Sequence, residues 1–483
     1  MERIGLFLRG WWVSLTLGLI SAGLRLPNLS QPPKLIFDET YYAKDAWALL
    51  QNGYESKYVE NADSLIVNGD TDVLLTDPTF IVHPPVGKWL IAFGEAVYGF
   101  NPFGWRIVAA LVGIAMVILI HRIALRLFSH QLTSFLAALF FAIDGMAIVH
   151  SRVALLDQFV TFFLLLAFAC LLIDRDSLYR KLNSNESLSR LRPWLIGAVI
   201  FAALAVSTKW SALWFAPLFA VFIVFYGMRV RMRLGNLNFW KQIWKDDILP
   251  LLPVALFLVP SIYLLSWAGW FLSDNAWMRN AQSDTFLPDA LQNLIDYHIA
   301  MWNFHVNLTV AHSYSANPWT WPLQIRPTSF FFESYSAGKN GCESGTCAAE
   351  VLALGNPLIW WAGTLALIHQ LWRVIRYVDG RSVSILGFFL AGWLPWLFFQ
   401  ERTVFGFYTI ILLPAIVLAL AYSLSLMLGS PYQSRLGRAR AALSVGTVVA
   451  VSVTLSIFFY PIWVGETISY TYWQVHMWFS SWI

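Results

Sequence analysis

Gly104-Trp105-Arg106-Ile107-Val108-Ala109-Ala110-Leu111-Val112-Gly113-Ile114-Ala115-Met116-Val117-Ile118-Leu119-Ile120-His121-Arg122-Ile123-Ala124-Leu125-Arg126 is the stretch whose reading decides the fold. From Ile107 to Ile120 every side chain is apolar or absent, and the run is long enough to cross the hydrocarbon of a bilayer as one helix. One arginine marks its start and two mark its end. Working outward, similar runs occur at roughly 8–27, 131–149, 156–173, 193–208, 211–229, 249–271, 357–375, 383–400, 403–428 and 441–463, so that with 104–126 the chain holds eleven. The 483 residues are 58% hydrophobic, 16% aromatic and only 12% charged, which excludes a string of soluble domains and predicts an all-α polytopic membrane protein. The 25 tryptophans suit its two interfaces, and the net charge of +4 carries no signal for nucleic acid because Lys and Arg are needed to orient such a chain.

With the N-terminus placed in the cytoplasm, the basic clusters all fall on the inner side. They are Arg122 and Arg126; Arg175, Arg180, Lys181, Arg190 and Arg192; Arg229, Arg231, Arg233, Lys241 and Lys245; Arg373, Arg376 and Arg381; and Arg435, Arg438 and Arg440. The tail from Val464 to Ile483 has no Lys or Arg and falls outside. The apolar residues 11–27 after Arg3 and Arg9 imitate a signal peptide, but no small-residue cleavage site follows before Pro32-Pro33, so an uncleaved first span is expected. Two external loops are long, 28–103 and 272–356, while the inner loops are too short for a folded domain. The chemistry is therefore expected outside, on a single integral membrane unit covering 1–483.

The first external loop opens with Ile36-Phe37-Asp38-Glu39-Thr40-Tyr41-Tyr42-Ala43-Lys44-Asp45-Ala46-Trp47-Ala48-Leu49-Leu50. Tyr42, Ala46, Leu49 and Leu50 recur at helical spacing and Gly53 follows as a stop, which predicts an amphipathic helix on the membrane surface with two carboxylates at its start. Asp38 is a good N-cap by residue type, and the same position favours the ionised carboxylate that a general base needs. Further along the loop comes His83-Pro84-Pro85-Val86-Gly87-Lys88.

Cations also stand at the outer ends of the spans, against the orienting tendency: Arg106, Arg152 within His150-Ser151-Arg152, Lys209 within Ser207-Thr208-Lys209-Trp210, and Arg402. Together they would make a phosphate site beside lipid, because guanidinium forks bind phosphate in bidentate fashion. Arg152 and Asp157 are also spaced to pair with each other. In the second loop His298, His305 and His312 recur every seven residues, two helical turns, so all three fit one helix face ended by Asn317-Pro318-Trp319-Thr320-Trp321-Pro322. That spacing is too long for two ligands on one ion, and packing or hydrogen bonding to a polar acceptor is the expected role, with no metal ligand assigned. Cys342 and Cys347 lie close enough in a polar loop for a disulfide, whereas Cys170 sits inside an apolar run as packing.

Taken in order, Phe37-Asp38-Glu39-Thr40-Tyr41-Tyr42, the His83 to Lys88 motif, His150-Ser151-Arg152 with Leu155-Leu156-Asp157, Ser207 to Trp210, the His298 to Trp319 segment, Gly355-Asn356-Pro357 and Ser480-Ser481-Trp482-Ile483 resemble the protein O-mannosyltransferases, in particular their bacterial, actinobacterial-type members. The likeness runs nearly end to end. It implies a GT-C type glycosyltransferase fold and inverting transfer of mannose from polyprenyl-phosphate-mannose to Ser or Thr hydroxyls of exported proteins at the outer face of the cell membrane. It implies Asp38 as base with Glu39 beside it for donor or acceptor positioning, although the sequence leaves open which of the two takes the proton, and it leaves divalent-metal dependence open; Arg106, Arg152, Lys209 and Arg402, read from the residues themselves, are the candidate cations for the donor phosphate. His83, Asp157, His298, His305, His312 and Trp319 would position donor or acceptor. Partners would be the lipid donor, membrane lipid, the exported polypeptide and, further, the protein-export machinery. The loop 272–356 is too short to enclose the β-trefoil (MIR-type) module of eukaryotic members. The alternatives are a lipid-linked transferase acting on a glycolipid or cell-wall glycan, and a transporter, which would place ionisable residues at mid-span rather than at one face.

Overall fold

The computed structural model describes residues 2–282, 286–429 and 434–483, with side chains from Gly10 onward, so the side chains of Arg3 and Arg9 lie outside the described residues. A helix stands at every one of the apolar windows. Six are long and apolar enough to cross a membrane: Pro102–Phe128, Leu156–Asn183, Trp210–Arg233, Phe239–Ser266, Gly380–Phe398 and Arg435–Val464. Gln131–Ile143, Pro193–Val206 and Leu413–Leu428 are shorter apolar helices. Leu156–Asn183 lies at the centre, with Pro102–Phe128, Pro193–Val206 and Phe215–Arg233 packed around it. Phe239–Ser266 is the opposite case, apolar all round with its most apolar stretch unburied in protein, the pattern of a helix bathed in hydrocarbon.

The window 131–149 is broken. Gln131–Ile143 stops at Asp144, whose extended backbone (φ −75°, ψ 135°) starts a second short helix, Gly145–His150. The buried Asp144 carboxylate accepts hydrogen bonds from the Met146 N–H (2.9 Å), the Asn356 N–H (2.9 Å) and the Trp360 indole N–H (3.1 Å). Asn356 in turn caps Pro357–Tyr377 with its side-chain oxygen and donates its amide to the Ser452 carbonyl and the Ser456 hydroxyl of Arg435–Val464. Gly145 permits this junction, since a Cβ there would sit 2.1 Å from the Trp463 ring. The Gly355-Asn356-Pro357 motif is thus a knot joining three helices.

The external loops hold more than helices. Strands β1 (Ser56–Tyr58) and β2 (Leu74–Pro78) pair antiparallel in the first. In the second, β3 (Thr328–Ser336) and β4 (Thr346–Ala353) form a hairpin, completed at its far edge by β5 (Ile468–Ser469) from the C-terminal tail. The hairpin follows from the alternation of Phe331, Glu333 and Tyr335 with Phe332, Ser334 and Ser336, and from Gly338, Gly341 and Gly345 at positive φ in its turn, where a disulfide joins Cys342 to Cys347. The helix carrying the first two histidines of the loop, Asp289–Asn307, ends ten residues before Asn317. His312 therefore lies beyond it, and the expectation of three imidazoles on one helix is corrected: only His298 and His305 share it.

Asp144→Ala would strand three buried donors, a loss of about 2–4 kcal/mol at roughly 1 kcal/mol or more for each. It is expected to lower the thermal midpoint of the purified protein clearly, while Asp144→Asn, which keeps one acceptor oxygen, falls between; a midpoint equal to wild type would contradict the knot.

Candidate active site

The predicted amphipathic helix is present as Glu39–Asn52, closed by Gly53 in the left-handed conformation (φ 78°). Asp38 occupies its N-cap position but its side chain makes no capping hydrogen bond. Its backbone is already helical (φ −71°, ψ −3°) rather than in the extended form that a capping side chain takes. Phe37 has φ 49°, a region costly for a residue with a side chain, and the strain is held by rings: Phe37 stacks on Phe330 (4.5 Å) and meets Phe407 edge-on (5.2 Å). The Asp38 carboxylate has no hydrogen-bond donor among the described residues, and the residue is half-buried. Desolvation pushes its pKa up to about 6; Lys209 pulls it back and Asp157 adds to the rise.

Glu39 is the reverse. It is fully buried, and its carboxylate accepts from the Ile36 N–H (3.1 Å), the Ala154 N–H (3.0 Å), and Arg106 through Nε (2.8 Å) and Nη2 (2.7 Å). The remaining Arg106 donors go to the carbonyls of Leu29 (3.2 Å), Pro32 (2.9 Å) and Lys34 (2.9 Å), so all five guanidinium N–H groups are used. Arg106 therefore has nothing left for a phosphate, and that expectation is corrected. Arg152 is turned inward as well, its Nη1 donating to the carbonyls of Arg25 and Pro27 (both 2.7 Å) and its Nη2 to that of Asn28 (2.8 Å), while its Nε is buried without a partner and it is absent from the cavity lining described below. Nor does it pair with Asp157, which is held by Lys209 (2.9 and 3.0 Å).

The other motifs meet where Asp38 faces. The Val86 N–H donates to the Ser207 carbonyl (3.1 Å), and a Cβ on Gly87 would lie 2.7 Å from the Leu156 side chain and 2.8 Å from that of Thr208. Lys88, buried just below, binds Glu55 and lies 3.7 Å from Asp45, tying the surface helix to β1. His83 and Lys209 line one cavity of about 430 Å³, and Asp157 reaches it only through its ion pair with Lys209. Its polar end holds His83, Lys209, His305 and Arg402; the rest is walled by aromatic and apolar groups including Trp210, Trp214, Trp302, Trp396 and Phe399. Lys209 also lies over the Tyr408 ring (4.5 Å) and Arg402 over Trp396 (5.5 Å).

His83 and His305 stack at 5.0 Å. Burial, with Lys209 and the neighbouring imidazole adding to it, holds His83 well below its ordinary pKa. Burial likewise lowers His305 to about 4, so at neutral pH it is uncharged, donates from Nε2 to the Val82 carbonyl (2.7 Å) and accepts at Nδ1 from Arg402 (3.3 Å). His298 stands behind the wall, hydrogen-bonded to Tyr263 (2.7 Å) and stacked on Trp210. His312 and Trp319 are exposed and outside the cavity lining: His312 packs edge-on against Phe405, and Trp319 against Trp393. Sequence reasoning missed the aromatic cradle of Phe37 and the tryptophan wall, because nothing in the local sequence separates a ring that lines a cavity from one that meets lipid.

The geometry thus sets an unpartnered carboxylate of raised pKa near Lys209, which with Arg402 supplies the cations of a cavity otherwise walled largely by aromatic rings. Comparison with known proteins agrees. The family model described as dolichyl-phosphate-mannose-protein mannosyltransferase matches residues 15–268, and that of the C-terminal four-TMM region of protein-O-mannosyltransferase matches 290–482. The polyprenol-phosphate-mannose--protein mannosyltransferase of Mycolicibacterium smegmatis is 33% identical over 98% of this chain and 93% of its own length. Its namesake from Mycobacterium tuberculosis is 32% identical over 98% and 92%. The Saccharomyces cerevisiae protein O-mannosyltransferase Pmt1-Pmt2 complex, solved bound to the sugar donor, superposes with a TM-score of 0.76 at 15% identity, covering 98% of this chain and 92% of the matched one. From nearly end-to-end likeness in sequence and fold, the chain belongs to the dolichyl-phosphate-mannose-protein mannosyltransferase family.

Proposed function

We propose that this chain transfers mannose from polyprenol-phosphate-mannose to Ser and Thr hydroxyls of exported proteins, with inversion at the anomeric carbon. The observation that carries the reading is the unpartnered Asp38 carboxylate near Lys209, a cation that with Arg402 lines a cavity suited to a phosphate, whose rings suit an isoprenoid chain. The full-length relatives are named for the same donor and a protein acceptor, which favours a protein over a glycolipid or glycan as acceptor.

In this reaction the acceptor oxygen attacks C1 of mannose, its proton passes to Asp38, and the bond from C1 to the phosphate oxygen breaks. A pKa of about 6 suits a base that must be ionised at neutral pH yet hold a proton as the bond forms. The lipid phosphate leaves with one more negative charge than it brought, and Arg402 and Lys209 stabilise that charge in a site poor in water. The neutral His305 orients the Arg402 guanidinium, and His83 presents a ring nitrogen to the sugar-phosphate end. Glu39, Arg106 and Arg152 position these groups by fixing the loop that carries Asp38.

The eleven helical windows read as eleven crossings of one catalytic unit, with 28–103 and 272–356 on the outer face and the N-terminus inside, the arrangement that puts the basic clusters in the cytoplasm. Exported acceptors then meet the site as they emerge, which makes the export machinery a natural partner.

Four outcomes test this. With labelled polyprenol-phosphate-mannose and a Ser/Thr-rich peptide, Asp38→Asn is expected to lose at least about a hundredfold in transfer while donor binding stays within a few-fold; label in a lipid or glycan fraction alone would remove the acceptor assignment. The wild-type rate is expected to fall as pH drops through about 6, because protonation removes the base, and this acid limb should be missing from the residual activity of Asp38→Asn. Arg402→Gln is expected to weaken donor binding by about tenfold or more, roughly one charged hydrogen bond, at unchanged thermal stability. Arg106→Gln, which leaves Glu39 buried without its partner, is expected instead to cost about 3–5 kcal/mol of stability; the reverse pattern would show the two roles to be exchanged.

A further inference from the structure

The helices that carry Arg106 and Asp157 have a second site at their other ends. A cavity of about 770 Å³ opens between the final turns of Pro102–Phe128, Leu156–Asn183 and Phe215–Arg233 and the first turn of Gly380–Trp393, lined by seven arginines and two aspartates. Arg126 follows Arg106 by twenty residues on one helix, about 30 Å at 1.5 Å per residue, the depth of a bilayer's hydrocarbon. The cavity therefore lies at headgroup level on the membrane face opposite Asp38.

Topology accounts for arginine on this face but not for arginines turned toward one another across a hollow, where like charges repel. The internal acids answer only part of the charge. Arg175 forks onto one oxygen of Asp176 through Nε (2.9 Å) and Nη2 (2.7 Å), and Arg126 takes the other oxygen (2.9 Å), so two cations share one carboxylate. Asp379 is bound by Arg373 (2.8 Å) from outside the cavity lining. Arg180, Arg229 and Arg233 have no carboxylate partner among the described residues; Arg229 donates only to the Val378 carbonyl (3.3 Å) and rests over the Phe225 ring. Leu125, Phe225 and Val230 add an apolar wall facing the same space.

Several unanswered guanidinium groups, at headgroup depth and beside apolar wall, are the chemistry that recognises a phosphate ester. We propose that this cavity binds the phosphate of an anionic phospholipid in the leaflet opposite the transfer site, with the apolar wall taking the start of its acyl chains. The site is separate from the donor cavity and does not depend on the transfer reaction assigned there.

Native mass spectrometry of the detergent-purified protein, offered equal amounts of phosphatidylglycerol and phosphatidylcholine, tests it. Wild type is expected to retain phosphatidylglycerol at least about fivefold over phosphatidylcholine, a difference of about 1 kcal/mol, and Arg229→Gln/Arg233→Gln to retain both equally. Thermal unfolding in neutral lipid checks that the double variant is folded; if it is not, the exposed single change Arg233→Gln replaces it. Titration with inorganic phosphate separates the sources: stabilisation of wild type but not the variant, without lipid preference, assigns the guanidinium site to a soluble phosphate instead. No preference for phosphatidylglycerol and no response to phosphate, or equal retention by wild type and variant, overturns the proposal.

Discussion

Everything at the Asp38 end of this protein hangs on the buried pair of Glu39 and Arg106. Two charges taken fully out of water are stable only when nearly every donor and acceptor is matched, and here the guanidinium spends all five N–H groups and the carboxylate takes four hydrogen bonds. The pair joins the start of one membrane helix to the turn at 29–36 and to the loop before Leu156–Asn183. Those are the three pieces that must be held for the residue next to Glu39 to be placed. Adjacent carboxylates thereby acquire opposite characters: one saturated and structural, the other bare and titrating near neutrality.

Around Asp38 the protein keeps water out with rings and answers charge sparingly. Lys209 is balanced by Asp157, and Arg402 is braced by an imidazole that burial keeps neutral. Such an arrangement attracts a phosphate without closing on itself, since neutral His83 and His305 add hydrogen-bonding groups and no counter-charge. The strained Phe37 turn has the same logic. It fixes the turn before Asp38, at a cost taken up by ring contacts with Phe330 and Phe407.

Much of this was legible in the sequence. Helices stand at the apolar runs of bilayer length, six of them among the described residues long and apolar enough to cross a membrane, and Tyr42, Ala46 and Leu49 with Gly53 located the helix behind Asp38, because hydrophobic period and a left-handed stop are local properties. Where the outward-facing arginines point was not legible. Arg106, Arg152 and Arg402 share residue type and apparent depth, yet the first two close on backbone carbonyls and only the third reaches the cavity; the difference is made by chain segments tens of residues away. The break at Asp144 was hidden for a related reason: its partners Asn356 and Trp360 lie more than two hundred positions along the chain. The β3–β4 hairpin was written in alternation and glycines, but a run of three phenylalanines reads equally as membrane-surface packing.

The most direct test of the account is a cryo-electron-microscopy structure with a non-transferable analogue of polyprenol-phosphate-mannose. The account expects the phosphate within hydrogen-bond reach of Arg402 and Lys209, the isoprenoid chain along Trp210 and Trp396, and the mannose C1 facing the Asp38 carboxylate, with Arg106 still locked to Glu39. A phosphate bound by Arg106 or Arg152, or a sugar turned away from Asp38, would contradict it.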